Sequence, residues 1–286
     1  MPLSTETVGR TIPAQEQDVD ARWTMAYAAG LGDTLDCYLD TLRPDGVVAH
    51  PLFPVALLWP QVRDGWRPAD PSEAARGVHF THDQTVHRLV RPGDRLTSTG
   101  LVAGVEQRRS GAYQVVRLDT RAADGEPVAT TWHGTLFRDV EVEGPDAWAD
   151  RPEPVAPLNG VAEDPVEEER IPIPATLGHV YTECARIWNP IHTDAAVAAS
   201  VGLPGIILHG TATLALAVSA LVRRAAGGDP ERVRRIAGRF AAMVALPSEV
   251  TLQVLPAPEE APATVRFQVR NAAGDLAIRD GLLGLR

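Results

Sequence analysis

The sequence predicts an α+β fold made of two related halves, each an antiparallel sheet wrapped around a helix. Three observations support it: strand-like segments joined by tight turns begin near residue 78, a run of small and aliphatic residues covers 211–222, and residues 115–137 resemble 265–285. Alternating segments between Gly-containing turns are typical of antiparallel strands, and a helix that is apolar all round is buried. Residues 89–102 also resemble 243–256, which indicates a duplicated unit.

Composition excludes several classes of function. The chain has 286 residues, 44% of them hydrophobic, and a net charge of -10. All 27 basic residues are arginine, which excludes a lysine Schiff base and a Walker-type phosphate loop. The acidic balance argues against a nucleic-acid partner, and no apolar run is long enough for a membrane span. The N-terminus does not resemble a signal peptide, and the two distant cysteines are expected to be free thiols, so we expect a cytoplasmic protein.

The N-terminal half is predicted in order along the chain. Residues 1–17 form an arm or an edge strand, and a helix over 18–29 follows, capped by Asp18 or Asp20. Prolines interrupt the apolar segment after residue 47, which predicts a turn and a short buried helix over 53–58, then a proline-rich loop over 61–75. The strands that follow are predicted to form a meander, and they cover 78–88, 96–106, 112–122 and 128–137.

The middle of the chain changes character. Residues 139–170 are dense in Glu, Asp and Pro, a composition that cannot bury a core. We therefore divide the chain into an N-terminal unit over 1–150, an acidic proline-rich linker over 151–170 and a C-terminal unit over 171–286. Strand-like segments return over 232–254 and 263–285.

The most informative stretch covers residues 181–216. It is predicted to contain a short helix, a turn at Asn189-Pro190, and a small helix over 195–200 that Thr193 or Asp194 caps. Gly and Pro residues end that helix, and His209-Gly210 then precedes the long buried helix.

This stretch resembles the hydratase-2 motif of the MaoC-like family, the (R)-specific enoyl-CoA hydratases and 3-hydroxyacyl-thioester dehydratases. The residues that match the family pattern at its spacing are Asn189, Pro190, Ile191, His192, Asp194, Ile207, His209 and Gly210. One departure matters: the family's catalytic aspartate is Ile187 here, and the preceding Ser-Gly of the family is Ala185-Arg186.

The resemblance implies a double hotdog fold, in which a shortened central helix of the N-terminal repeat leaves room for the acyl chain. It implies a hydro-lyase of lipid or polyketide metabolism that acts on acyl thioesters. No cofactor is expected apart from the coenzyme A or acyl carrier protein that carries the substrate. A homodimer, or a heteromer with another hotdog chain, is expected because hotdog sheets often pair edge to edge, although two repeats in one chain can satisfy each other.

The predicted catalytic residues are His192 as general base, the Gly210 N–H as donor to the thioester oxygen, and Asn189 as an orienting group. Hydration of an enoyl thioester needs a base for water and donors for an oxygen that gains negative charge, and a helix start supplies such donors. Simpler roles stay open at this point: His192 as a structural histidine, Gly210 as a close-packing residue and Asn189 as a turn former.

The predicted substrate-binding residues are Ile187, His209, Asp194 and Trp188. Here too simpler roles stay open: His209 as a support for the loop, Asp194 as a helix cap and Trp188 as a core residue.

Ile187 cannot accept a proton, and this leaves three accounts. His192 acts alone or with another carboxylate such as Glu183 or Asp194, the chemistry is a one-base elimination or isomerisation, or the chain is an auxiliary subunit that binds acyl thioesters without turnover. A hotdog thioesterase is the least favoured alternative.

No metal site is predicted, since the histidines lack metal-binding spacing and strand alternation places His79 and His82 on opposite faces. A group of arginines after the long helix is interpreted either as a solvated helix end or as a contact for coenzyme A phosphates: Arg223, Arg224, Arg232, Arg234 and Arg235.

Overall fold

Strands dominate the structure, a computed structural model that describes residues 3–65, 68–155, 164–256, 261 and 263–286. In this part of the chain the strands are β1 Leu3–Ser4, β2 Thr11–Asp18, β3 Gly77–Val86, β4 Arg95–Arg108, β5 Gly111–Ala122, β6 Pro127–Arg138, β7 Val142–Glu143, β8 Ala147–Trp148, β9 Glu167–Ile173, β10 Val233–Phe240, β11 Ser248–Val254, β12 Thr264–Asn271 and β13 Leu276–Leu285. The helices are α1 Ala21–Gly30, α2 Asp36–Leu39, α3 Pro54–Asp64, α4 Pro71–Ala74, α5 Leu177–Ala185, α6 Ala195–Ser200 and α7 Gly210–Ala225. Three 3₁₀ turns cover Thr5–Thr7, Pro190–His192 and Pro230–Arg232.

The two halves of the chain share one antiparallel sheet, which has eleven strands in the described residues. The N-terminal half contributes the order β2-β4-β5-β6-β3, and the C-terminal half contributes β10-β13-β12-β11-β9, which is the same order reversed. The halves meet edge to edge where β3 pairs with β10, and Arg235 of β10 donates to both carboxylate oxygens of Asp83 on β3 at 2.9 and 2.6 Å. This arrangement confirms the predicted α+β class with two related halves.

Two of the predicted strand arrangements are wrong. The strand β3 does not continue the meander through β4; it pairs with β6 on one side and β10 on the other. The connection over 87–94 is too long for a tight hairpin, so it allows β3 to cross to the far edge of the meander. In addition, β9 begins inside the stretch predicted as a linker. Its charged residues suit an edge strand, because one side of that strand faces water. Residues 156–163 of the predicted linker lie outside the described residues.

The helices on which the sheet packs differ in length between the halves. The helix α7 has 16 residues, and its positions 212–222 are all buried, which confirms the predicted buried helix. The helix α3 has 11 residues and continues through Pro60 into the segment predicted as a loop. It stays helical because Pro60 removes only one backbone donor near its end. Leu57 of α3 and Leu214 of α7 belong to one hydrophobic cluster that spans both halves.

The paired helices α1 and α5 occupy equivalent places in the two halves and contact each other. The predicted first helix begins later than expected, at Ala21, because Asp20 caps it by accepting from the Trp23 N–H at 2.7 Å. Tyr27 of α1 and Tyr181 of α5 are fully buried, and their hydroxyl groups lie 3.2 Å apart. Among the helices of the described residues, none has both the length and the apolar character needed to cross a bilayer.

Candidate functional site

A cavity of about 620 Å³ opens between the two halves, next to the start of α7. Five of the residues that the motif predicts lie on its wall: Ile187, Asn189, His192, His209 and Gly210. Asp194 and Trp188 do not line it. The predicted base and the predicted backbone donor therefore share one enclosed space, as the proposed chemistry requires.

A sharp change of chain direction after α5 places His192 at this cavity. Arg186 ends α5 in the left-handed conformation with φ 56°, an arrangement that costs a non-glycine residue about 1 kcal/mol and that the family's glycine would adopt freely. The chain then turns, and Asn189 caps the 3₁₀ turn Pro190–His192 by accepting from the Ile191 N–H at 3.4 Å. Gly178 of α5 permits the turn to approach, because a Cβ there would lie 2.6 Å from the His192 carbonyl oxygen.

The His192 ring is buried, and its hydrogen bonding defines which nitrogen can act as a base. Its Nδ1 lies 2.8 Å from the Ile207 carbonyl oxygen. A carbonyl only accepts, so Nδ1 carries the proton and Nε2 keeps the lone pair. Burial lowers the pKa of His192 to about 4, while the bond to Ile207 acts in the opposite direction. The imidazole is thus neutral at neutral pH, which is the state that a general base needs.

His209 supports the His192 ring and does not itself have a free approach to solvent. The two imidazoles stack with centroids 3.6 Å apart, and the Tyr181 ring lies against His209 at 5.0 Å. The His209 Nε2 is 3.3 Å from the Thr182 hydroxyl and from the Ile187 carbonyl oxygen. Burial, and secondarily the neighbouring His192, lowers the pKa of His209 well below its usual value. These contacts agree with the prediction that His209 positions the loop.

Gly210 is the first residue of α7, where backbone N–H groups have no partner within the helix. A Cβ at this position would come within 2.9 Å of the Phe240 ring, so glycine is also needed for the contact between the helix start and β10. Both roles considered for Gly210 are therefore compatible with its surroundings. The small residue lets a bulky aromatic ring pack close to the first residue of the helix, which lines the cavity.

The remaining predicted residues have clear structural positions. Asp194 caps α6 by accepting from the Ala196 and Val197 N–H groups at 2.8 and 3.1 Å, which confirms the predicted helix cap. Ile187 is 5% exposed and lies in the cavity wall. Trp188 is 53% exposed, so the prediction that it belongs to the core is wrong. The Asn189 N–H donates to the Ile187 carbonyl oxygen at 3.2 Å, so the chain turns tightly at Trp188 and its side chain does not line the cavity.

Sequence reasoning missed the N-terminal wall of the cavity. His79, His82 and His133 line it, and the His79 ring stacks on His133 at 3.9 Å and lies 5.7 Å from His82. The prediction that His79 and His82 face opposite sides is wrong, because the pairing of β3 with β6 shifts register between His79 and Thr81. The shift adds one residue to β3, so the side chains that follow it point to the opposite face from the one that strict alternation predicts. A bulge of this kind depends on the partner strand and leaves no local sequence signal.

Charged groups are scarce in this cavity. Among its lining residues, all of which the structure describes, there is no Asp or Glu, and the only fully charged side chain is that of Arg138. Glu183 and Asp194, considered as substitutes for the missing aspartate, are exposed and lie outside the lining. Arg223 and Arg224 form ion pairs with Glu169 on the surface, and neither they nor Arg232, Arg234 and Arg235 line the cavity.

Two family models match different parts of the chain. Residues 6–131 match the family described as FAS1-like, dehydratase domain region, and residues 160–266 match the family described as MaoC like domain. The solved MaoC-like dehydratase from Phytophthora capsici superposes with a TM-score of 0.87 at 20% identity, covering 99% of this chain and 97% of that one. A Mycobacterium tuberculosis protein described as a double hotdog fold superposes with a TM-score of 0.61 at 16% identity, covering 97% and 96%. The fold is therefore the predicted double hotdog.

Curated relatives match over very different lengths. The 3-hydroxyacyl-thioester dehydratase Y of Mycobacterium tuberculosis is 25% identical over 280 residues, which is 96% of this chain and 94% of that protein. The peroxisomal enoyl-CoA hydratase 2 of Arabidopsis thaliana is 43% identical over 53 residues, which is 18% of this chain and 17% of that protein. The chain covers only 3–4% of the three fatty acid synthase beta subunits that it also matches.

Proposed function

This chain joins a FAS1-like dehydratase region to a MaoC-like domain in a double hotdog, and from this premise we propose that it is a hydro-lyase acting on enoyl or 3-hydroxyacyl thioesters. One observation carries the proposal: the lone pair of His192 Nε2 and the amide end of α7 at Gly210 belong to one cavity. A base and an amide donor in one enclosed space are the minimum that the reaction needs.

The proposed dehydration uses His192 as the single acid–base group. The Gly210 N–H donates to the thioester oxygen, and His192 Nε2 removes a proton from C2, so that the electron pair moves into an enolate. The imidazolium then gives this proton to the C3 hydroxyl group, the C3–O bond breaks as the enolate collapses, and water leaves. Hydration follows the same steps in reverse. A single base is sufficient in this scheme because the same imidazole carries the proton from C2 to the C3 hydroxyl group. No carboxylate from the described residues lines the cavity.

Ile187 favours a second candidate function, an auxiliary hotdog chain that binds acyl thioesters without turnover. An apolar side chain at the position of the family's aspartate removes a group that would share the proton transfers. The two candidates differ in turnover by the isolated chain and agree on binding, so a kinetic experiment separates them.

The first test follows loss of the conjugated double bond of crotonyl-CoA and of longer enoyl-CoAs by the wild-type chain and by His192→Asn. The asparagine amide retains a donor toward Ile207 but has no basic nitrogen, so kcat is expected to fall by a factor of roughly 10² to 10⁴. The same substitution at the exposed His87, which lies outside the cavity, is the matched control and should leave kcat unchanged. Equal rates for wild type and His192→Asn would remove His192 from the mechanism.

We extend the proposal to cofactor, partner and location. The reaction transfers one proton and one hydroxyl group with no net oxidation, so it assigns no cofactor beyond the coenzyme A or acyl carrier protein of the substrate. A cytoplasmic location agrees with two cysteines that are free thiols. A homodimer, or a heteromer with another hotdog chain, stays a prediction, since the β3–β10 pairing already joins two hotdog units within this chain.

A further inference from the structure

The wall that the N-terminal sheet gives to the cavity carries several polar side chains among its apolar ones, although it lies where an acyl chain would be expected. His82 of β3 pairs across from His133 of β6, and Gln114 of β5 pairs across from Thr135. Thr131 adds a hydroxyl further along β6, and all five residues line the cavity. A pocket shaped for a plain hydrocarbon chain is lined by apolar side chains, so this composition requires another explanation.

Several of these groups have no hydrogen-bond partner in the described part of the chain. They are both ring nitrogens of His82, the Gln114 Nε2 and the Thr131 Oγ1, and the residues that carry them are only 1–3% exposed. Gln61 of α3 adds an unpartnered Oε1, while its Nε2 is held by the Pro13 and Ser98 carbonyl oxygens at 2.9 and 3.0 Å. Buried polar groups in folded proteins are normally satisfied, and each one left unpaired is destabilising.

The unpartnered groups include both donors and acceptors. The Gln114 Nε2 donates and the Gln61 Oε1 accepts, while a neutral imidazole and a hydroxyl each do both. Burial lowers the pKa of His82 to about 4 and outweighs the neighbouring Gln84 side chain, which acts in the opposite direction, so the ring is neutral at neutral pH. A carboxylate ligand would find no buried cation on this wall, because Arg138 is exposed. A hydroxyl group, which donates and accepts at once, fits this set.

We propose that this wall is a subsite for a hydroxyl group carried by the acyl chain beyond C3. The inference rests on the proposed function, since it names the class of acyl thioester that the same cavity accepts. In the β5–β6 pairing Gln114 lies opposite Thr135, four residues along β6 from Thr131, so these two groups meet hydroxyl groups at different carbons of the chain. A plain alkyl chain of equal length leaves both unpaired after it displaces water. The preference for a hydroxylated over a plain acyl chain therefore comes from the polar groups of the cavity wall, which only the hydroxylated chain can satisfy.

The test compares trans-2-decenoyl-CoA with the same thioester bearing one hydroxyl group at successive carbons from the fifth to the tenth. The best hydroxylated substrate is expected to exceed the plain one in kcat/KM by on the order of tenfold for each hydrogen bond gained. Thr131→Val, which preserves shape, should lower the preference for a hydroxyl group at the carbon that Thr131 serves. Adding Gln114→Leu should lower it at a second carbon, so that both preferences fall below about twofold in the double variant. The plain substrate should gain, because the wall becomes apolar.

Thr130→Val is the matched control. Thr130 is the neighbouring residue of the same strand, but its hydroxyl bonds Asp119 outside the cavity, so the preference should not change. If plain and hydroxylated chains react equally and Thr131→Val changes nothing, the subsite holds only water and the inference is wrong. If no thioester reacts, the proposed function fails. Calorimetry then measures the Kd of saturated decanoyl-CoA and of its hydroxylated forms, and the ratio of these Kd values tests the inference in place of the kcat/KM ratio.

Discussion

Ile187 is the residue on which the two candidate functions divide. Its side chain is buried in the cavity wall, and its carbonyl oxygen lies 3.3 Å from His209 Nε2, so its backbone also belongs to the support of the stacked imidazoles. A carboxylate at this position would lose hydration, which raises the pKa of a buried acid. The apolar residue keeps the surroundings of His192 free of negative charge.

We predict that Ile187→Asp does not increase the hydratase rate of the chain. If His192 works alone, a new carboxylate adds a desolvated group without a role, and kcat should fall by about the same factor as in Ile187→Asn, the matched uncharged variant. Enoyl-CoA hydration by both variants, measured beside wild type, gives the comparison. A gain of roughly a hundredfold in the aspartate variant over the asparagine variant would indicate a disabled two-residue site and favour the auxiliary subunit.

At this scale the motif predicted five of the residues that reach the cavity, but it also suggested Asp194 and Trp188, which do not line it, and it gave no side-chain orientations. The spacing of His192, His209 and Gly210 relative to turns and helix starts is local, so the sequence could predict it. The exposed Trp188 lies at a tight turn between Ile187 and Asn189, and its apolar side chain does not indicate that turn. The side chains of His79 and His82 point to the same face because the register between β3 and β6 shifts between them.

At the scale of elements, the position of the base depends on how closely the 3₁₀ turn Pro190–His192 packs on α5. Gly178 has no Cβ, and the His192 carbonyl oxygen occupies the space that a Cβ would require. The contact is made by backbone atoms on both sides, so neither rotamer changes nor side-chain motion can relieve a clash. The distance between α5 and the turn therefore controls where the imidazole lies.

We predict that Gly178→Ala lowers kcat and also lowers the free energy of unfolding, and that the loss of kcat is larger than the loss of stability alone would cause. The added methyl group must push the turn away by several tenths of an ångström, which costs roughly 1–3 kcal/mol in unfolding free energy and shifts Nε2 from its place. Urea unfolding and kcat, measured on the same preparation, give the two effects. Gly205→Ala is the control, because nothing lies within 4 Å of its Cβ position. If Gly178→Ala and Gly205→Ala show equally small losses of kcat and of unfolding free energy, the turn tolerates displacement and the prediction is wrong.

Short elements with local caps were predictable, and long-range pairings were not. The helix α6 has the predicted bounds because Asp194 satisfies its first N–H groups, and the bounds of β5 and β6 follow from the turn between them. The pairing of β3 with β6 and β10, in contrast, joins segments far apart in sequence. The energy of such a pairing is distributed over the whole sheet, so a local pattern does not reveal it.

For the whole molecule, the duplicated units are less important than the cavity that they enclose together. The base and the amide donor come from the C-terminal half, and the polar wall comes from β3, β5 and β6 of the N-terminal half. The internal similarity predicted two units, while the reversed strand order that joins β3 to β10 appeared only in the structure. Neither half alone supplies both the chemistry and the acyl subsite.

The buried histidines give the whole molecule a predictable sensitivity to acid. Burial lowers the pKa of His50, His82 and His192 to about 4 in each case, against an ordinary value of about 6.5. Between these values the unfolded chain binds protons that the folded chain does not, so stability rises with pH and is lost as the pH falls from about 6.5 toward 4. His50 is held neutral by accepting from the Leu52 N–H and by its contact with Ser219.

We therefore predict that the free energy of unfolding falls by roughly 1.4 kcal/mol per pH unit for each of these histidines, or about 4 kcal/mol per unit together, within that window. Most domains have only about 5–15 kcal/mol of stability, so unfolding should occur between about pH 4 and 5 without denaturant. Urea titrations followed by circular dichroism at several pH values measure the slope. His50→Asn should reduce the slope by roughly 1.4 kcal/mol per pH unit, and His179→Asn at the exposed surface of α5 is the matched control. A stability that is flat between pH 6.5 and 4.5 would mean that these imidazoles take up protons in the folded protein as they do in the unfolded chain, and their lowered pKa values would then be wrong.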